Sequence, residues 1–138
     1  MAVEAYLNFN GNCREAVLFY AEVFGSGEPQ IMSFGDAPPN PEFQLPEAAK
    51  NLVMHARIAV SGSNIMFSDV FPGMPFTVGN NISLAVVGHN KDELASYFQQ
   101  LKVGGTVQME LQETFWSKCY GMLTDKFGIQ WQLSLAAE

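Results

Sequence analysis

An internal repeat restricts this chain more than any other feature of its sequence. Two stretches carry the same order of signals at an offset of roughly 78 residues. In the first, Glu4-Ala5-Tyr6-Leu7-Asn8-Phe9 alternates as a strand should, with Leu7 and Phe9 on one face. The turn FNGN follows. Asn12 then stands where a helix N-cap belongs, with Glu15 three residues on to close a capping box, and the second half repeats the pair as Asn90 and Glu93. Behind these caps, Ala16, Phe19, Tyr20 and Val23 recur at helical spacing, as do Leu94, Tyr97, Phe98 and Leu101. Gly27 and Gly105 then stop the helices.

Three more strands follow in each half. EPQIMSF, VMHARIAV and NIMFSDV fill the first, the last two separated by Ser61-Gly62-Ser63; GTVQMEL, CYGMLT and IQWQLSL fill the second, around Lys126-Phe127-Gly128. Each half therefore reads as βαβββ, giving an α+β chain of one domain over residues 1–138 with modules at 1–70 and 80–138. The Pro- and Gly-rich stretch FPGMPFTVGNN joins them. DAPPNPEFQLPEAAK is an insertion that only the first half carries, expected to form a mobile flap.

Composition narrows the function classes. Apolar residues make up 48% of the 138 and charged residues 15%, as in a soluble globular domain. A net charge of -7 repels phosphate backbones and anionic lipid surfaces, so neither nucleic acid nor a membrane is an expected partner. The acidic amino terminus is unlike a secretory signal and no apolar run is long enough to span a bilayer, which points to the cytoplasm. Cys13 and Cys119 are far apart and read as reduced, buried thiols. Met54, Met66, Met109 and Met122 read as core packing.

Strand parity sorts the candidate functional residues. If Leu7 and Phe9 face the helices, Tyr6 and Asn8 face the other way. In VMHARIAV the apolar face is Ala56, Ile58 and Val60, so His55 and Arg57 share the opposite one. An imidazole beside a guanidinium suits an anion, and it equally suits hydrogen bonding to a neighbouring strand. The pattern in IMFSD turns Met66 and Ser68 the same way as Tyr6 and Asn8. In the second half Asn81, Gln130 and Gln132 fall opposite Ile82, Leu84, Trp131 and Leu133. Trp116 and Tyr120, with Phe115, add aromatic groups suited to a flat organic ligand or to packing. His89, next to the Asn90 cap, reads as a turn residue. Asp125 belongs to the turn DKFG.

A paired βαβββ repeat in a chain this short resembles the vicinal-oxygen-chelate superfamily, the glyoxalase and bleomycin-resistance fold. FNGNCREAVLFYAEVFG, HARIAV followed by IMFSD, GNNISL, and above all TFWSKCYGMLTDKFGIQW look like its PhnB-like branch. The resemblance covers nearly the whole chain. It implies a cup-shaped mixed sheet with helices outside, and homodimers, which are common in the superfamily. Members of the branch are often labelled 3-demethylubiquinone-9 3-methyltransferase, yet no glycine-rich turn of a Rossmann-like βαβ unit is present, and Gly25-Ser26-Gly27 follows a helix.

The superfamily usually holds a divalent metal through His, Gln or Glu on the first and last strands of each module. Carried over by position, those places fall on Glu4 (or Ala5, with a shift of one), Ser68, Asn81 and Gln132. One carboxylate, two neutral amides and no imidazole make a weak donor set, so neither a metal nor a cofactor is expected. The implied function is small-molecule binding at Tyr6, Asn8, His55, Arg57, Ser68, Asn81, Trp116, Tyr120, Gln130 and Gln132. The alternative is a metal-dependent lyase or dioxygenase-type enzyme of the same superfamily. No catalytic residue is assigned.

Overall fold

The computed structural model describes residues 1–137, which divide between Thr77 and Val78 into two compact units. In the first unit, β1 (Ala5–Phe9) leads into α1 (Cys13–Phe24), then β2 (Gln30–Ser33), β3 (Val53–Val60) and β4 (Ser63–Asp69). The strands form one sheet in the order β1-β4-β3-β2, with β1 and β4 parallel and the other pairs antiparallel. The second unit runs β5 (Ser83–Gly88), α2 (Lys91–Leu101), β6 (Thr106–Gln112), β7 (Tyr120–Thr124) and β8 (Gln130–Leu135), in the order β5-β8-β7-β6 with β5 and β8 parallel. The two units thus share one topology, βαβββ.

In each unit the helix covers one face of its own sheet. Tyr20 of α1 stacks on Phe67 at 5.8 Å, and Ala56, Ile58 and Ile65 are buried around them. Phe67 is fully buried, which stabilises the fold by roughly 1.5–3 kcal/mol for a side chain of that size. In the second unit Leu94, Phe98 and Leu101 of α2 are buried, as are Val86, Leu123, Trp131 and Leu133 of the sheet. Gly121 lies beneath Phe98, where a Cβ would come 2.8 Å from the ring.

The helix ends differ from expectation. Asn90 caps α2, its Oδ1 accepting from the Glu93 N–H at 3.0 Å, but the Glu93 carboxylate takes a bond from the Tyr97 hydroxyl. Asn12 makes no side-chain cap to α1. Its role passes to Asp69 at the end of β4, whose Oδ1 accepts from the backbone N–H of Gly11 and Cys13 while Oδ2 accepts from that of Val53. α1 closes on Gly25 in the left-handed conformation, whereas α2 closes on Lys102.

Asp125 is the counterpart in the second unit. Its Oδ1 accepts from the N–H of Phe127 and Ile129 and its Oδ2 from the Trp131 indole, which ties the β7–β8 turn to the core. The two ends of the first-unit insertion are bonded to each other. Phe34 N–H bonds to Leu52, Gly35 N–H to Lys50, and single helical turns form at Phe34–Asp36 and Glu47–Ala49. No helix among the described residues is long and apolar enough to cross a membrane.

Candidate functional site

The two-residue period of a strand puts every other side chain on the face away from the helix. In the first sheet one row of paired residues crosses all four strands: Tyr6, Met66, Arg57 and Gln30. Arg57 donates to Gln30 Oε1 at 3.1 Å and, among the described residues, makes no ion pair. Along the same face Asn8 pairs with Ser68, whose hydroxyl donates to Asn8 Oδ1 at 3.3 Å, and His55 pairs with Met32. The Tyr6 hydroxyl and His55 Nδ1 are 3.4 Å apart. Tyr6, Asn8, His55, Arg57 and Ser68 therefore share one face, linked in pairs.

In the second sheet the matching row is Ser83, Gln130, Thr124 and Thr106, entirely polar and uncharged. One step along lie Ala85, Gln132 and Met122. Gln132 is held at both ends of its amide: Oε1 accepts from the Tyr120 hydroxyl at 2.5 Å, and Nε2 donates to the Ser83 hydroxyl at 2.8 Å. The two hydroxyls hold the plane of the amide. One lone pair and one N–H of the amide remain to address a ligand. The Trp116 ring meets Tyr120 edge-on at 5.3 Å and Phe115 at 4.8 Å, so Trp116 joins Tyr120 and Gln132 at one end of this face.

Asn81 departs from the expectation. It lies before β5, is exposed, and shares no strand row with Gln132; Ile82, expected in the core, is 75% exposed. The pairing of β5 with β8 starts at Ser83 opposite Gln130, so residues before Ser83 have no strand to lie against. Ser83 occupies the place beside Gln132 that the sequence pattern assigned to Asn81. Met66 and Met122 also differ, since both are half-buried on the helix-free faces rather than in the core. Ser83 and Gln30 went unassigned, although strand parity marks both.

The carried-over metal positions do not fit a metal. Glu4 is exposed and precedes β1, the Ser68 hydroxyl is directed at Asn8, Asn81 is off the strand, and Gln132 is a neutral amide already bonded to Tyr120 and Ser83. Among the described residues no three His, Cys, Asp or Glu side chains gather as a metal site would need. The thiols are equally remote from chemistry. Both are buried and free, and burial pushes the Cys13 thiol up to about 12, with the Asp69 carboxylate adding to the shift and Arg14 opposing it. His89 is exposed in the turn before α2. What this geometry offers is hydrogen bonding and apolar contact.

Comparison with known proteins places this arrangement in a family. Residues 2–134 match the family model described as 3-demethylubiquinone-9 3-methyltransferase. The chain is 30% identical to Protein YjdN of Escherichia coli, over 100% of this chain and 97% of that one. The crystal structure of protein PA1353 from Pseudomonas aeruginosa is 36% identical and superimposes with a TM-score of 0.84, covering 100% of this chain and 99% of the other. A putative 3-demethylubiquinone-9 3-methyltransferase, the PhnB protein of Bacillus cereus, is 28% identical with a TM-score of 0.76, covering 99% and 100%. A glyoxylase/bleomycin resistance protein/dioxygenase domain from a Frankia species shares the fold at 14% identity and a TM-score of 0.67, over 99% of this chain and 98% of that one. With its two βαβββ units and a match from residue 2 to 134, the chain belongs to the PhnB-like family described as 3-demethylubiquinone-9 3-methyltransferase, within the glyoxalase/bleomycin resistance fold.

Proposed function

We propose that this chain is a cytoplasmic binding protein for a small, partly apolar organic molecule, held by the amides, hydroxyls and Met122 of the helix-free face of the second sheet without a metal. The observation that carries the reading is Gln132, whose amide is held in plane between the Tyr120 and Ser83 hydroxyls with one donor and one acceptor position left over. An oriented amide beside its cross-strand neighbour Met122 is the usual make-up of a small-molecule site, apolar contact with a few oriented polar groups. The first sheet presents a polar row of its own, in which Arg57 bonds to Gln30 and the Tyr6 hydroxyl lies beside His55; we take it as a second face able to bind, separate from the Gln132 face. Two buried free thiols accord with a reducing compartment. The molecule acts as a homodimer, the default closed assembly for a soluble chain.

A fragment screen by ligand-observed NMR on protein purified without chelator tests this. Gln132→Ala and Ser83→Ala, each checked for a cooperative unfolding transition, should weaken the binders found by about tenfold, the worth of roughly 1.4 kcal/mol of lost hydrogen bonding. Chelator should leave affinity unchanged, and light scattering should return more than the 15.2 kDa of one chain. Stoichiometric metal whose removal abolishes binding would overturn the metal-free reading. Binders indifferent to both substitutions would move the ligand off this face.

A further inference from the structure

A cavity in the first unit lies away from the sheet rows. About 1400 Å³ in volume, it is walled by the insertion between β2 and β3 on one side and by the residues just after β4 on the other. Three rings define it: Phe34 meets Phe71 edge-on at 5.5 Å, and Phe43 leans on Phe71 at 6.0 Å with an angle of 54°. The remaining wall carries Pro38, Pro39, Pro46 and Pro75 beside apolar Leu45, Val70 and Met74 and polar Asn40 and Gln44. Proline has no N–H to donate, so these stretches of backbone cannot bind a polar group as an ordinary loop would.

The charges in the wall cancel. Lys50 pairs with Glu47 at 2.7 Å, leaving neither as an open counter-ion for a charged ligand. Edge-to-face rings set apart in this way leave aromatic faces unopposed, and such faces favour another ring in stacked or edge-on contact. Phe43 and Met74 stand 53% and 60% exposed at the cavity, area that an occupant would cover.

We propose that this cavity is a second binding site, separate from the sheet faces, and that it takes an uncharged aromatic molecule of two or three rings. The insertion that only the first unit carries builds the site. Its specificity comes from the Phe34, Phe43 and Phe71 rings and from a wall whose cation, Lys50, is already paired with Glu47, which disfavours anions.

Fluorescence titration of the full chain with N-phenyl-1-naphthylamine, an uncharged bicyclic reporter, tests the proposal. Saturable binding at one site per chain is expected. Phe43→Ala and Met74→Ala, both at exposed positions and so compatible with folding, should each weaken it by roughly tenfold, a change of the size that one good aromatic or apolar contact supplies. Gln132→Ala should leave it unchanged, which separates this site from the one on the sheet face. The sulfonated relative 8-anilinonaphthalene-1-sulfonate should bind at least about tenfold more weakly. Several results would overturn the inference: no saturation, indifference to both cavity substitutions, loss with Gln132→Ala, or equal affinity for the sulfonate. A reporter that splits dimers in light scattering would also overturn it, because the cavity would then be covered by a second copy of the chain.

Discussion

Replacing Asp125 with alanine should remove the tie that fixes the β7–β8 turn. The carboxylate is 3% exposed and accepts three N–H groups, from Phe127 at 2.8 Å, Ile129 at 3.1 Å and the Trp131 indole at 2.8 Å. A bond to a charged acceptor contributes about 1.5–3 kcal/mol, so three independent bonds would be worth more than many domains have to spare. Water reaches part of this site, since Phe127 and Ile129 are half-buried and can be resolvated. Trp131, 2% exposed, is shielded from water, so its indole N–H loses the bond it donates to Asp125 with little resolvation in return. The net loss for Asp125→Ala should be about 3–5 kcal/mol, and for Asp125→Asn, which keeps one acceptor oxygen, about 2 kcal/mol. Urea titration read by tryptophan fluorescence measures it, in a Trp116→Phe background so that Trp131 is the only reporter. An Asp125→Ala protein within about 1 kcal/mol of the parent would show that the turn holds without its carboxylate.

Two smaller predictions follow from the helix starts and the thiol. Asn90→Ala should cost about 1 kcal/mol in the same titration, the typical worth of a side-chain cap, whereas Asn12→Ala, with no such bond to lose, should stay within a few tenths; equal effects would contradict the assignment. The Cys13 thiol, raised when folded from 9.0 to about 12, holds its proton over a range where the unfolded chain has lost it. Folded protein then binds more protons than unfolded, so stability from this group is complete below pH 9.0 and falls as pH rises towards 12. Cys13→Ala should flatten that part of the stability curve, and an identical alkaline slope in both proteins would refute the cause.

Where the sequence succeeded, the deciding forces were local. VMHARIAV was legible as a strand because its apolar residues alternate without interruption, and β3 spans Val53–Val60. Parity also put His55 and Arg57 opposite Ala56 and Ile58, and Gln132 opposite Trp131 and Leu133. The misreadings share a different origin. Asn81 and Ile82 continue the alternation of β5, but a strand lasts only as long as its partner, and β8 begins at Gln130. Asn12 resembles a cap by type and spacing. The acceptor that displaces it belongs to Asp69, far along the chain, and no local pattern announces it. Met66 and Met122 were assigned by residue type when parity already told against the core. The cavity in the insertion depends on how three rings meet across a loop, which neither periodicity nor motif encodes.

The interior placement of β4 and β8 has a consequence for synthesis on the ribosome. Each is the last strand of its unit to be made, yet each lies between the first strand and the third, pairing with both. Until it emerges, β1 and β5 have no neighbour in their own sheets. The first unit can close once Asp69 is free of the exit tunnel, while the second must wait for Leu135. At about 5–20 residues per second, several seconds separate these events. During that interval a finished first unit trails an open β5 edge and an unpacked α2. A nascent chain stalled just short of β8 should accordingly be the form most exposed to proteases and chaperones.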